Sequence, residues 1–404
     1  MKIYEKNYLE DMVVSKLNRR LVLGYDRFLQ ILISILLVYE GWYIPKYSAI
    51  PYILQLLTIM IVGLTFIKYG FQLFKSPMMN NTMLCWMLFT IFSAIGLVVS
   101  DYPGYGLNHL FTFICFVVVI YCAGVVNSKL PHDSNWLRNT ILIIGVLSTI
   151  STVFWGFEYR NGLYTVTTMS QNDNPNGLSF MMTLALYFLL VKKRDNRHKL
   201  ACMVLALLFC YVILNTGSRS GLLNCCLVLF FYVISEYMKK SSSRRRQLTR
   251  KISLTICILI SIILIAKYLS DNIQSNVALL RISEQLNFES KSIDGRGNLY
   301  SAAWKLFCDN PIFGIGYDCF AVAGGFGYYS HSTYMELLAC TGIVGFILFI
   351  APYIKSLILS VKQIRKEYKL FILLLLFALS GLFSIWFYNL VSLMILYIHV
   401  YKEN

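Results

Sequence analysis

The run Leu107–Val126, LNHLFTFICFVVVIYCAGVV, decides the class of fold, because it contains no Asp, Glu, Lys or Arg. A helix needs about 20 apolar residues to cross the hydrocarbon core of a bilayer, which is the length of this run. Hydrophobic residues make up 57% of the 404-residue chain and charged residues only 14%. In soluble domains, hydrophobic residues average about 45–50% and charged residues about 25%. The composition excludes a soluble enzyme, a disordered scaffold and a small disulfide-rich secreted domain. It predicts an all-α polytopic membrane protein.

Apolar runs of similar length recur along the chain and predict about 12 transmembrane helices. The last run, 370–400, also lacks Asp, Glu, Lys and Arg, but Gly381, Ser384 and Asn389 interrupt it, so two short spans are expected there. The first ten spans are expected near 28–44, 50–67, 82–100, 107–126, 139–157, 176–191, 200–214, 221–238, 252–269 and 333–354.

This layout divides the chain into four parts. They are a cytoplasmic tail at 1–27, transmembrane helices 1–9 over 28–269, a large extracytoplasmic loop with an amphipathic helix at 270–332, and transmembrane helices 10–12 with the C-terminal tail over 333–404.

The chain has a formal charge of +16, and its basic residues are unevenly distributed along the sequence. With the amino terminus in the cytoplasm, 28 of the 36 Lys and Arg residues fall in cytoplasmic segments. That excess is an orientation signal, so no nucleic-acid partner is expected. The longest cytoplasmic loop, about 239–251, has no room for a nucleotide-binding domain, and no phosphate-binding G-x-x-x-x-G-K-[ST] motif occurs. Chemistry is therefore expected on the outer face.

Cysteines and carboxylates give no metal signature. Most of the cysteines lie in apolar runs, where a free thiol behaves as a small hydrophobe. Cys308 and Cys319 share the outer loop, where the sequence allows either a disulfide or two packed thiols. No C-x-x-C occurs and the outer carboxylates lack metal-ligand spacing, so neither a metal nor another cofactor is expected.

Two outer segments carry an arginine that could grip an anion. In Thr216-Gly217-Ser218-Arg219-Ser220-Gly221, the glycines allow a tight reversal, and hydroxyls, free N–H groups and Arg219 could cradle a phosphate. The alternative is that Arg219 contacts lipid headgroups. In the large loop, Arg296 begins a helical pattern that Asp309-Asn310-Pro311 ends; alternatively Arg296 is a solvated charge paired with Asp294. The pattern is carried by Leu299, Ala302, Ala303, Leu306 and Phe307.

His331 is the candidate base among five histidines, because it begins an outer span and Tyr334 and Glu336 follow closely. An imidazole titrates near neutral pH and can take a proton from a hydroxyl, although a lone histidine is more often structural. His109 lies near another outer helix end, without a cluster of ligand-type residues. The glycine- and aromatic-rich run 324–329 predicts either a mobile lid or a platform on which sugars stack.

Several motifs in order carry a resemblance to a known family. The motifs lie within about 150–350. They are the Asn-Pro-Asn turn (Asn174-Pro175-Asn176-Gly177), the Ser-Arg turn (Thr216-Gly217-Ser218-Arg219), the Gly295-Arg296 helix start, Asn310-Pro311-Ile312-Phe313-Gly314-Ile315-Gly316, and His331-Ser332 followed by Gly342-Ile343-Val344-Gly345. Together they resemble the O-antigen ligase and bacterial polysaccharide polymerase family of membrane glycosyltransferases, whose fold is GT-C-like.

The resemblance implies transfer of a glycan from a polyprenyl-diphosphate carrier to an acceptor hydroxyl, outside the bacterial plasma membrane and without a metal. The acceptor is another carrier-linked repeat unit in a polymerase of capsule or O-antigen-type polysaccharide, and a lipid or envelope anchor in a ligase. Other polysaccharide assembly proteins are expected partners beside the lipid-linked oligosaccharide and membrane lipid. The implied roles are base for His331, diphosphate binding for Arg219, Arg296 and Arg160, and a substrate pocket formed by Tyr334, Glu336, Asn174 and Asn176.

Two other classes of function stay open. A transporter or lipid-linked oligosaccharide flippase would also have twelve spans, but such proteins place their sites at mid-membrane between internal repeats, and the two halves of this sequence show no repeat. A non-catalytic assembly partner is the other alternative. The sequence leaves open the sugars, the linkage and the oligomeric state, and it tilts toward a polymerase.

Overall fold

Helices dominate the computed structural model, which describes residues 24–41, 50–75, 80–130, 135–155, 157–160, 163–166, 175–191, 199–216, 218–238 and 291–401. The helices are α1 (24–41), α2 (Ile50–Tyr69), α3 (Asn81–Val98), α4 (Pro103–Lys129), α5 (Trp136–Trp155), α6 (Pro175–Val191), α7 (Lys199–Asn215), α8 (Arg219–Met238), α9 (Lys291–Asp309), α10 (Phe320–Ala323), α11 (Thr333–Lys362), α12 (Ile364–Phe383) and α13 (Leu390–Tyr401). A 3₁₀ turn (Gly70–Lys75) and an antiparallel hairpin of β1 (Phe157–Arg160) and β2 (Leu163–Val166) complete the described elements.

Four of these helices, α3, α4, α5 and α11, are long and apolar enough to cross a membrane. Helices α2, α6, α7 and α8 contain shorter apolar segments. The predicted class, a helical membrane protein, is therefore confirmed. The number of twelve spans and the place of the large loop stay predictions, and the predicted ninth span, 252–269, lies outside the described residues.

Several helix ends follow local sequence signals. Helix α6 begins at Pro175, a residue whose missing N–H and fixed φ suit the first helical position. Asn80 caps α3 by accepting a hydrogen bond from the Met83 N–H at 2.9 Å. The predicted interruption of 370–400 is present as the break between Phe383, where α12 ends, and Leu390, where α13 begins.

Helix α9 differs from its predicted start. It begins at Lys291, so Arg296 lies within the helix and not at its first turn. Gly295 and Gly297 are poor helix formers, each costing about 1 kcal/mol in a helix interior. Leu299 and Ala303 are buried in the main core, and this burial offsets that cost. Arg296 therefore does not stand in the first turn, where its charge would oppose the helix dipole.

Helix α11 is central to the site because it packs against α3, α9 and α12. Its backbone breaks at Gly342, where φ is +62°, and a Cβ there would lie 2.2 Å from the carbonyl oxygen of Ile312. The segment after α9 supplies the missing hydrogen bonds. Ile315 N–H donates to the Ala339 carbonyl at 2.9 Å, and Ile343 N–H donates to the Pro311 carbonyl at 2.8 Å. The segment 310–316 is thus bonded into the broken helix.

Candidate active site

His331 immediately precedes the N-cap of α11. Ser332 caps the helix, with its hydroxyl accepting from the Met335 N–H at 3.5 Å. The backbone φ of His331 is +60°, in the left-handed region that non-glycine residues seldom adopt. Such a conformation costs about 1–3 kcal/mol and persists only where neighbouring contacts enforce it.

Glu336 supplies one of these contacts. Its side chain is fully buried, and its Oε2 accepts a hydrogen bond from the Ser330 N–H at 2.7 Å. The Ser330 hydroxyl in turn donates to the Ser332 carbonyl at 3.1 Å. The residues on both sides of His331 are therefore fixed by hydrogen bonds, and Glu336 holds the loop that carries the imidazole.

Two tyrosines flank the imidazole. The Tyr329 ring meets it at 4.6 Å between centroids and 61° between planes, and the Tyr328 ring lies 5.9 Å away. Burial raises the pKa of Tyr329 to about 12, with Glu336 adding to the shift and Arg296 opposing it. The Tyr329 phenol therefore stays protonated at neutral pH and remains a hydrogen-bond donor.

The imidazole itself is neutral at physiological pH. Burial, together with the charge of the Arg296 guanidinium acting in the same direction, lowers the pKa of His331 to about 4. Its Nδ1 is buried and has no hydrogen-bond partner among the described residues. A neutral imidazole can accept a proton, so this environment favours the form of histidine that a general base requires.

Arg296 reaches the site from α9. Its charge influences the pKa values of His331, Tyr329 and Tyr300, so the guanidinium lies within electrostatic range of all three side chains. Tyr300, one turn further along α9, donates from its hydroxyl to the Leu382 carbonyl at 2.8 Å and ties the helix to the end of α12. This electrostatic influence supports the predicted convergence of Arg296 and His331, which stays a prediction.

The Ser-Arg turn and the Asn-Pro-Asn turn also meet. The Ser218 hydroxyl donates to Asn176 Oδ1 at 2.6 Å and accepts from the Gly221 N–H at 3.0 Å. A Cβ on Gly221 would lie 2.3 Å from the Cβ of Ser179, so only glycine allows α6 and α8 to approach this closely. The two motifs form one hydrogen-bonded cluster at the starts of two helices.

The end of α12 links this cluster to His331. Asn224, five residues into α8, donates from Nδ2 to the Ser380 hydroxyl at 2.7 Å. The next residue of α12, Gly381, accepts from the Ser332 hydroxyl at 3.2 Å. Arg219 begins α8, about 7.5 Å along the helix axis from Asn224 at 1.5 Å per residue. The first turn of α8 therefore starts close to the helix end that supports the histidine loop.

The other predicted site residues have different outcomes. Tyr334 lies in the first turn of α11 and donates from its hydroxyl to the Ala378 carbonyl at 3.0 Å. The Tyr334 and Glu336 side chains thus contact protein groups, and their place in a substrate pocket stays a prediction. Arg160 ends β1 and Arg219 begins α8, but the positions of these two side chains, like the whole of Asn174, lie outside the described residues.

Two further contacts were not expected from the sequence. His109, assigned no cluster, pairs through Nδ1 with Asp318 Oδ2 at 2.8 Å. Ser330 had no predicted role, although it contacts Glu336. Cys308 and Cys319, for which the sequence allowed either a disulfide or two packed thiols, are both free thiols. Over the described ranges, no group of three or more His, Cys, Asp or Glu side chains could hold a metal ion.

The comparison with known families bears on the segment that contains this site. Residues 202–350 match the O-Antigen ligase family. The match runs from α7 through α8 and α9 into α11, so it includes the Ser-Arg turn, Arg296 and His331.

The O-antigen ligase match confirms the resemblance predicted from the motifs. The match supports glycan ligase or polymerase activity in general. The observed helical membrane architecture is consistent with this family. No curated protein is significantly similar to the chain.

Proposed function

We propose that this protein transfers an oligosaccharide from a polyprenyl-diphosphate carrier to the hydroxyl of an acceptor sugar. The reaction would take place on the extracytoplasmic face of the bacterial plasma membrane, with the amino terminus in the cytoplasm. The acceptor would be another carrier-linked repeat unit, so that the product is a capsule or O-antigen-type polymer. The ligase alternative differs only in the acceptor, which would be a lipid or an envelope anchor.

The observation that carries the proposal is the environment of His331. A neutral imidazole, held in a fixed left-handed loop, lies within electrostatic range of the Arg296 guanidinium. A base for a hydroxyl and a cation for a departing diphosphate are the two groups that this reaction needs. Residues 202–350, the part of the chain that matches the O-Antigen ligase family, contain both.

In the proposed reaction His331 takes the proton of the acceptor hydroxyl. The acceptor oxygen then forms a bond to the anomeric carbon of the donor, and the bond from that carbon to the diphosphate breaks. Negative charge collects on the diphosphate oxygens as the carrier leaves. Arg296 and Arg219, with Arg160 as a third cation, would stabilise that charge through charge-assisted hydrogen bonds.

The remaining predicted residues have supporting roles in this scheme. Asn176 would fix the start of α8 on the donor side of the substrate pocket, because it is bonded to the Ser-Arg turn, and Asn174 would orient the donor. Tyr334 and Glu336 would shape the acceptor side. The carrier already holds an activated sugar, so the reaction requires no nucleotide, and we propose that it proceeds without a metal or another cofactor.

Reconstituted protein supplied with purified lipid-linked oligosaccharide tests the proposal. Wild-type protein should yield longer glycans or glycan–acceptor conjugates, and His331→Ala should lower turnover by about 10²–10⁴-fold while binding the donor normally. Movement of the oligosaccharide across the membrane without a new glycosidic bond would instead identify a flippase.

His109→Ala is the matched control, since this half-exposed imidazole stands at another helix end and has no role in the proposed reaction. It should keep turnover within about threefold of wild type. Equal loss of donor binding and turnover in His331→Ala would indicate misfolding, and full activity of that variant would refute the assignment of the base.

A further inference from the structure

A row of aromatic rings leads from the core to His331. Phe320 is fully buried and stacks on Phe326, with centroids 6.0 Å apart and planes at 15°. Phe326 contacts Tyr328 at 6.1 Å, and Tyr328 contacts the imidazole at 5.9 Å. We call Phe320, Phe326 and Tyr328 the aromatic row. Its inner end is anchored in the core and its outer end is beside the candidate base.

Two glycines fix the turn that presents the outer end. Gly325 and Gly327 have φ values of +72° and +73°, where other residues would be strained. The Gly327 N–H donates to the Ala321 carbonyl at 2.9 Å, which closes the turn onto α10. The Tyr328 side chain is 48% exposed. The loop thus holds a ring at the surface that the core does not cover.

We propose that the exposed ring of Tyr328 is the platform on which the acceptor sugar stacks, an inference that rests on the proposed function. One face of a pyranose ring presents C–H bonds, which pack well against the electron-rich face of an aromatic ring. The Tyr328 and His331 rings are direct neighbours, with centroids 5.9 Å apart. A sugar lying on Tyr328 therefore brings a hydroxyl at its edge to the imidazole.

Tyr329 is not equivalent to Tyr328. It is half-buried and meets the imidazole edge-on at 4.6 Å, so it packs against the base. Tyr328 is the more exposed ring, so a ligand can reach its open surface while the ring stays in contact with the imidazole. The proposed ligand is a pyranose acceptor. Its stacking on Tyr328 should strengthen binding and have little effect on the rate of the chemical step.

The test uses full-length protein in lipid nanodiscs. The donor is polyprenyl-diphosphate-linked repeat unit extracted from producing cells, at fixed concentration. The acceptor is the oligosaccharide released from the same polymer by mild acid, at varied concentration. Tyr328→Ala should raise the acceptor KM by about tenfold and change kcat by less than about threefold. Tyr328→Phe keeps the ring and should behave as wild type. Tyr102→Ala removes an exposed tyrosine outside the row and should leave KM unchanged.

Two outcomes separate this proposal from the function on which it rests. An unchanged acceptor KM in an active Tyr328→Ala protein overturns the sugar platform and leaves glycosyl transfer standing. If wild-type protein forms no glycosidic bond, glycosyl transfer fails, and saturation-transfer NMR with the released oligosaccharide then tests the platform alone. Signal that depends on the Tyr328 ring supports the platform, and equal signal from wild type and Tyr328→Ala overturns it.

Discussion

The loop around His331 and the turn around Ser218 are both polar segments at helix starts, but they differ in how their polar groups are satisfied. At the turn, Ser218 and Asn176 bond to each other, and the Gly221 N–H bonds to the same hydroxyl. At the loop, the His331 Nδ1 is buried and lacks a partner among the described residues, and the backbone is left-handed.

This difference distinguishes a structural turn from the proposed reaction site. Buried polar groups in folded proteins are almost always paired, and an unpaired one costs about 1–3 kcal/mol. The turn follows that rule and fixes where α8 begins. His331 departs from it at a residue that also carries backbone strain, as expected of a group whose partner is a substrate. Three substitutions sharpen or break this contrast.

The largest effect is expected for Arg296→Gln. Loss of one cation from the diphosphate site should lower turnover by about 10²–10³-fold. The variant should also change the pH dependence of kcat/KM. Only the neutral imidazole accepts a proton, so activity in wild type should fall as pH drops through about 4, the pKa of His331. Without the charge at position 296, the pKa of His331 should rise toward the ordinary histidine value of about 6.5, so this fall of activity at low pH (the acid limb) occurs at a higher pH. The pKa should stay below 6.5 because burial still lowers it.

Two controls separate charge from geometry at this position. Arg296→Lys keeps the charge but loses the planar fork, so the acid limb should stay near that of wild type while turnover falls. Lys305→Gln removes an exposed cation from the same helix and should change neither quantity. An acid limb that Arg296→Gln leaves in place would contradict the electrostatic link between α9 and the histidine.

A smaller loss, about tenfold to 100-fold in turnover, is expected for Glu336→Ala. This change leaves the Ser330 N–H buried without its acceptor and loosens the loop that holds His331. Glu336 acts here as a positioning residue, so Glu336→Gln, which keeps an oxygen acceptor, should restore most of kcat. If the glutamine variant is as impaired as alanine, the carboxylate acts through its charge and the positioning role is wrong.

The smallest effect on catalysis is expected for Asn176→Ala. Removing the acceptor of the Ser218 hydroxyl should destabilise the protein by about 1 kcal/mol and lower the midpoint of thermal unfolding. Turnover should stay within about threefold of wild type, since the turn acts mainly as scaffold. Asn108→Ala, an exposed asparagine on α4, is the control and should leave the midpoint unchanged. A large loss of turnover with normal stability would move Asn176 from scaffold to substrate binding.

Local sequence predicted the parts of the fold that depend on local composition. The span expected at 107–126 lies within α4, and Pro175 begins α6 as its turn residues indicate. The sequence could also group His331 with Arg296, because both belong to one ordered set of motifs. It could not predict the pairing of His109 with Asp318 or of Asn224 with Ser380. These partners are far apart in the chain and of common residue types, so only the packing of helices identifies them.

The broken turn of α11 has a consequence for protein engineering. Gly342 accommodates the Ile312 carbonyl, and the Ile343 N–H donates to the Pro311 carbonyl. The segment 310–316 and α11 therefore share one backbone hydrogen-bond pattern. A chimera that exchanges acceptor preference between related enzymes must therefore graft 310–332 together with the first turns of α11. Grafting the loop alone would leave backbone N–H and carbonyl groups unpaired between the grafted loop and α11. We expect such a hybrid to fail to insert or fold, so that its specificity could not be measured.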